Sequence, residues 1–226
     1  MKTLLPILAV LMASFTAAAE GGTGSVASGV SLPAPPAAGT MSLEEALAQR
    51  RSVREFAPGA LTLAEVSRLA WAAQGAIKPE GRTAPSAGAT YPLEVYLAVG
   101  EVKGLAAGVY RYRPGPHRLE VVADGDMRRQ LAVAAVDQQW IGRAALVVVI
   151  AAVFERTTAR YGRRGERYVH MEAGHAAQNL LLQATALGLG ATPVGAFNDA
   201  EVCRLLHLPD GETPLYLIPV GHKPRS

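Results

Sequence analysis

Cysteine is nearly absent from this 226-residue chain. Cys203 stands alone, so no internal disulfide can form and packing must supply the stability. Its setting, DAEVCRLLHL with Val202, Leu205 and Leu206, reads as a buried small hydrophobe rather than a reactive thiol. Aromatic residues make up only 6% of the chain, and its cations are scattered among acids. That combination excludes a nucleic-acid surface built on a basic groove with stacking platforms. Also missing are Gly-x-Ser-x-Gly, His-Glu-x-x-His, the P-loop and Gly-x-Gly-x-x-Gly, which closes the common nucleophile, zinc and nucleotide routes. His170 and His175 are five apart on a helical stretch, about 140° around its axis, so they cannot share a ligand and no metal site is expected. No apolar run reaches the roughly 20 residues of a membrane-spanning helix.

The amino terminus has a different character. Lys2, an apolar run from Leu4 to Phe15 and then Ala17, Ala18 and Ala19 have the layout of a secretory signal peptide over residues 1–19. Export to the periplasm or outside is therefore expected, without a lipid anchor, since no cysteine lies near the cleavage point. A start at Met41 would instead give a cytoplasmic domain. Residues 20–40, rich in Gly, Ala, Ser and Pro, read as a flexible linker, and residues 41–226 as one domain.

Within the domain, Ser42 with Glu45 and Thr62 with Glu65 are capping boxes, each announcing a helix. Strands are expected at Pro92–Gly100, at two segments flanking Pro114-Gly115-Pro116, at Ala144–Phe154, at Ala191–Phe197 and at Leu215–Gly221. The run from Ala144 is apolar throughout and suits a central strand. Helices are expected around DMRRQLAVAAVD, over Glu166–Leu187 and over Asp199–Leu206. The long one is apolar around most of its circumference, implying burial on nearly all sides or against another subunit. Strands interleaved with helices and a hairpin make this an α+β or mixed α/β domain.

The remaining polar features suit a phosphate and a flat polar heterocycle. Arg50, Arg51 and Arg54 offer paired donors for phosphate oxygens, and Ser52 adds a hydroxyl. The loops TAPSAGATYP (Thr83–Pro92) and GATPVGAF (Gly190–Phe197) have small residues whose backbone can approach a ring closely. Lys223 and Arg225 add charge near the carboxyl end. Each feature alone is equally a solvated charge cluster, a turn, a strand end or a basic tail. Glu172, His175, Asn179 and Gln183 line up as a polar stripe on the long helix, either a subunit-interface network or a wall beside a ligand.

Taken in order, RRSVREF, PSAGATYPLEVY, GVYRY, the stretch from RYGRRGERY to PVGAF, and PVGHKP resemble the nitroreductase family of FMN-dependent oxidoreductases. Within it they are most similar to the SagB-type dehydrogenase branch, over roughly Leu43 to Pro224. The resemblance implies a mixed, mainly antiparallel sheet flanked by helices, with a long central helix at the core of a homodimer and FMN at the subunit interface. It implies that Arg50, Arg51, Ser52 and Arg54 hold the phosphate and ribityl chain, completed by Lys223 and Arg225. Pro85, Ser86, Ala87 and Gly88 would approach the isoalloxazine, typically from the partner subunit. Pro193, Val194 and Gly195 would lie by the ring, the last two offering backbone N–H groups near N5.

The implied activity is hydride transfer through N5 to or from a small organic substrate, a nitro compound or quinone, with NAD(P)H as a possible donor. Alternatives are oxidation of azoline-type heterocycles in peptides and a flavin-binding protein without turnover. The Lys-Tyr pair that the SagB branch associates with azoline oxidation reads Arg160-Tyr161 here. Arginine stays protonated and cannot be the base, which leaves Tyr161 as the candidate proton donor or acceptor.

Overall fold

The computed structural model describes residues 29–224, so the expected signal peptide, the first part of the linker and Arg225 lie outside the described residues. Both capping boxes form. Glu45 N–H donates to the Ser42 hydroxyl at 3.1 Å and Ser42 N–H to the Glu45 carboxylate at 2.8 Å, opening α1 (Leu43–Gln49). Thr62 and Glu65 do the same for α2 (Leu63–Gln74). Each box satisfies donors that a helix start otherwise leaves open.

Seven strands form one sheet: β1 (Gly29–Ser31), β2 (Leu93–Val99), β3 (Gly108–Arg113), β4 (Arg118–Asp124), β5 (Leu146–Val153), β6 (Leu189–Ala191) and β7 (Glu212–His222). Their order is β1-β4-β3-β2-β5-β7-β6, and every ladder is antiparallel. Among the described residues, parallel pairing enters only as isolated bridges, Ser52 with Ala191 and Leu61 with Val102.

Side-chain alternation on the two central strands sends residues into two cores. Leu93, Val95, Leu97 and Val99 join Leu146, Val148 and Ile150 on the face covered by α2 and the long α5 (Arg164–Ala186). Tyr96, Ala98, Val147 and Val149 face α3 (Arg128–Ala134) and α6 (Asp199–Leu206). The result is a three-layer α+β domain, the class expected.

Four details depart from expectation. Gly29–Ser31, inside the stretch read as linker, pairs with β4, and Leu32 beyond it is buried. Composition concealed this because the sheet edge, not side-chain pattern, holds the segment: Leu32 N–H reaches His117 O at 3.1 Å, and the Ser67 hydroxyl bonds Pro33 O. The strand expected at 191–197 ends at Ala191, since Pro193 has no N–H to continue a ladder. A helix not foreseen, α4 (Glu155–Tyr161), precedes α5. In a single copy α5 is not buried all round: Val169, Ala173, Ala176 and Leu180 face the core, while His170, Met171, His175 and Gln178 are exposed.

One carboxylate on the buried side of α5 stands out. Glu172 is 2% exposed, and one of its oxygens has no hydrogen-bond partner among the described residues. Burial raises its pKa from 4.5 to about 7, with the Ser86 hydroxyl and the Ala87 N–H opposing the rise. The folded chain thus takes up this proton before the unfolded chain does. The group costs nothing below about pH 4.5 and becomes destabilising as pH rises to about 7, by up to about 3 kcal/mol. In apo-protein melts between pH 5 and 8, Glu172→Gln should remove most of that decline in stability; equal slopes for variant and wild type would refute the assignment.

Candidate functional site

The cationic strip begins where α1 stops. Arg50 N–H still bonds Ala46 O at 2.9 Å, but its backbone has left the helix. The chain then crosses the open edge of the sheet. Val53 N–H reaches Ala191 O at 3.1 Å and Ala57 N–H reaches His222 O at 2.9 Å. Val53 lies directly on Gly190, where an added Cβ would come within 2.6 Å of Val53 Cγ1, so only glycine permits this approach. The strip is thereby fixed beside the end of β7, and exposed Lys223 follows immediately. Cations from opposite ends of the domain share one edge.

Among the described residues no carboxylate pairs with Arg50, Arg51, Arg54 or Lys223, whereas Arg111, Arg113, Arg118, Arg128, Arg156 and Arg204 each have one. Arg54 lies over the Trp140 ring, 5.9 Å from its centroid, so a tryptophan braces a site cation. Arg51 behaves differently from expectation. Its Nη1 donates to the carbonyls of Ala48 and Arg50, both at 2.8 Å, closing the carboxyl end of α1. Part of its donor capacity is therefore spent within the chain.

The segment after β6 also needs a correction. Pro193 and Gly195 are exposed and Val194 is buried. Val194 N–H donates to Leu217 O at 2.8 Å, and Leu217 N–H returns to Val194 O at 3.0 Å. Val194 therefore has no N–H to offer a ring. Gly195, whose N–H makes no backbone hydrogen bond among the described residues, is the donor that remains.

The second cluster is the loop around Pro85, Ser86, Ala87 and Gly88. It is gripped from two sides. On α4, Arg156 donates to Tyr91 O at 2.9 Å and pairs with Glu94 at 2.7 Å. Thr157 shares a hydroxyl hydrogen bond with Thr90 at 2.8 Å, and Arg160 donates to Gly88 O at 3.0 Å. Residues 156 and 160 are one helical turn apart, so one face of a short helix makes all three contacts. On α5, Asn179 donates to Thr83 O at 3.1 Å, and Glu172 faces the Ser86 hydroxyl and Ala87 N–H. Of the polar stripe, then, Asn179 holds the chain's own loop and Glu172 is enclosed beneath it. His175 is exposed, and Gln183 lies at a cavity of about 550 Å³ beside Trp71 and Leu182.

Gly88 has φ +59°, and a Cβ there would come 2.5 Å from the Tyr161 hydroxyl. Tyr161, half-buried and edge-on to Tyr168 at 5.2 Å, thus presents its O–H at this turn. Arg160, which cannot serve as a base, acts as a brace; its place one turn beyond Arg156 was the signal available in the sequence.

The two clusters meet the chain on different stretches of α5 and its continuation. The loop meets α5 at Glu172 and, through Thr83, at Asn179, while the cationic strip meets the chain beyond Ala186, at Gly190 and Ala191. From Glu172 to Ala186 the helix advances about 20 Å at 1.5 Å per residue.

The sequence profile described as "Nitroreductase family" matches residues 47–222. A candidate nitroreductase, MJ1384 of Methanocaldococcus jannaschii, is 50% identical over 182 residues, covering 80% of this chain and 91% of its own. The Microcin B17-processing protein McbC of Escherichia coli is 31% identical over 132 residues, 56% of this chain, which spans about half of that relative (48%). Among solved structures, a candidate nitroreductase of Ralstonia eutropha JMP134 superposes with a TM-score of 0.77 at 31% identity, covering 88% of this chain and 90% of that one. With the profile spanning most of the domain and half of its residues shared with a relative of similar length, the chain belongs to the nitroreductase family of FMN-dependent oxidoreductases.

Proposed function

We propose that two copies of this chain bind FMN in shared clefts and pass hydride equivalents from a donor such as NAD(P)H to a small organic acceptor, a nitro compound or quinone. The observation that carries this reading is the separation of the two clusters. On this reading a phosphate on the Arg50–Arg54 strip places its ring against Pro85–Gly88 of a second copy. A second copy, packed along the exposed side of α5, would supply that loop.

The residues present fit the cofactor. Guanidinium groups without carboxylate partners, an exposed Ser52 hydroxyl and Lys223 suit a phosphate dianion. The Gly195 N–H and the side-chain-free Gly88 suit the close approach of a flat ring. When bound, FMN supplies the hydride chemistry at its N5. The chain's own part is to neutralise the phosphate, seat the ring against a braced loop and present the Tyr161 hydroxyl, which can hold or give a proton beside that loop. A second reading, oxidation of an azoline-type heterocycle in a peptide, draws support from the likeness to McbC. Arg160 in place of a lysine base argues against it. Heterocycle-dependent oxygen consumption, with slow bleaching by nicotinamides, would favour that second reading.

Purified protein should be yellow, and Arg50→Ala/Arg54→Ala should weaken FMN binding by about 100-fold or more, from about 1.5–3 kcal/mol per charge-assisted contact. Unchanged affinity would remove the strip from the site. Shared clefts make a further prediction. Gly88→Val, which crowds Tyr161, should bind no flavin alone. Unfolded together with the arginine variant and refolded, it should recover roughly a quarter of the sites, because half of the random dimers then hold one intact cleft. No recovery, with both variants folded, would place each cleft within one copy. Export is carried as a proposal on the amino-terminal pattern alone: a host fraction outside the cytoplasm should contain a chain beginning at Glu20, and a chain confined to the cytoplasm would refute it.

A further inference from the structure

A network of enclosed charge lies on the side of the sheet that faces α3 and α6. Glu94 and Tyr96 stand two apart on β2 and so share a face, and Arg111 of β3 is directly opposite Tyr96. Arg111 meets one Glu94 oxygen at 3.0 Å and one oxygen of Glu212, at the start of β7, at 2.9 Å. The other Glu212 oxygen accepts from the Tyr96 hydroxyl at 2.8 Å, and the other Glu94 oxygen pairs with Arg156 of α4 at 2.7 Å. Two cations balance two carboxylates, and every carboxylate oxygen has a partner. Glu94 and Glu212 are both buried. Enclosing such a set gives little net stability over an apolar core, so its place beneath a candidate site calls for a further reason.

That reason lies at the outer end of the network. Arg156 places Nη2 on Glu94 and donates from Nη1 to Tyr91 O at 2.9 Å. The β2–β5 ladder starts at Leu93, so Tyr91 is the joint at which the ring-side loop becomes strand. Tyr91 has φ +46° and Ala89 has φ +53°, left-handed conformations that side-chain-bearing residues keep only when their surroundings fix them. Among the described residues neither polar group of the Tyr91 backbone meets another backbone group. Its N–H goes to the Ser86 hydroxyl at 2.9 Å, its carbonyl to Arg156, and its ring lies under Arg82 at 5.0 Å. The turn is knotted behind it: Ala89 N–H reaches Ser86 O at 3.1 Å, and the Thr90 hydroxyl reaches Ala87 O at 3.0 Å. A shift at Tyr91 is therefore a shift at Gly88.

We propose that Arg156 is a positioning residue for the flavin ring: its guanidinium fork spans the joint between loop and strand, is aimed by Glu94 from the enclosed network, and holds the Ser86–Tyr91 turn in its strained, ring-ready shape. The inference rests on the FMN reading above and assigns to it the residue that orders the ring side of the cleft. A planar fork is what the geometry requires, since one nitrogen must face the strand carboxylate while another faces the loop carbonyl. A lysine, a single point of charge, cannot be shared in that way. Ordering the turn in advance leaves less freedom to be lost when the ring arrives, so a loosened turn shows as weaker FMN binding.

The test uses the full chain stripped of flavin, with FMN titrated by fluorescence quenching and amide exchange followed over residues 85–91. Arg156→Ala should weaken FMN binding by about tenfold, the lower end for one charge-assisted hydrogen bond, and lose protection in that segment while β2 and β5 keep theirs. The Arg156 side chain is 40% exposed, so millimolar guanidinium ion can reach the vacated place and should restore both affinity and protection, where ammonium at equal concentration should not. Glu94→Gln should reproduce part of the loss, yet add less than about twofold to Arg156→Ala, because both act through one joint. If the alanine variant does not fold, Arg156→Lys decides, with the same localised loss expected despite its retained charge. Wild-type affinity in the variants, loss of affinity with the turn still protected, or equal rescue by ammonium would overturn the proposal. A wild type that binds no FMN would sink the cofactor reading instead, and exchange in 85–91 with and without guanidinium would still decide the role of Arg156.

Discussion

A helix of 23 residues cannot bend to bring its ends together, and that stiffness governs this molecule. α5 meets the braced loop along its middle turns, at Glu172 and Asn179, and delivers the chain to the cationic edge after its last. Two half-sites made of complementary chemistry, one anion-binding and one flat and small-sided, are held apart by a rigid spacer. The same helix leaves His170, Met171, His175 and Gln178 uncovered in a single copy. Self-association along that side, as proposed, would answer both facts at once, because a two-fold partner would set each half-site opposite its complement.

The half-sites are rigid in different ways. The cationic strip is tied to backbone at Ala191 and His222, so its position follows from the sheet. The loop has no ladder to hold it; side chains from α4 and α5 do so instead. A pocket that must accept a flat ring at close range benefits from such prior ordering, since less freedom is lost on binding. The arrangement carries a cost. Glu172 is enclosed beneath the loop without a paired cation among the described residues, which lowers the stability of the fold at neutral pH.

Much of this was legible from residue pattern. The capping boxes at Ser42 and Thr62 announced their helices, and α6 runs over the residues expected, because each is specified by contacts three or four residues apart. The apolar run from Ala144 identified a central strand for the same local reason. The strand at Gly29–Ser31 was hidden, since its pairing comes from β4 far along the chain. The shortened β6 and the bound Val194 N–H were hidden as well, because they depend on where β7 lies. Arg51 was read by its charge; its donors answer to two carbonyls at the end of α1 that only folding presents.

What the sequence determined by itself was the list of parts: an α+β domain, a phosphate-like cation set, two loops of small residues and a long helix with a polar stripe. These follow from residue chemistry and short-range spacing, which a linear chain already contains. Tertiary structure decided which parts meet. It set the cations at one sheet edge, the loop against the middle of α5, Tyr161 against Gly88 and Glu172 beneath Ser86. Such meetings are set by packing between residues distant along the chain, and the geometry of a packed core is not written in any local run of residues.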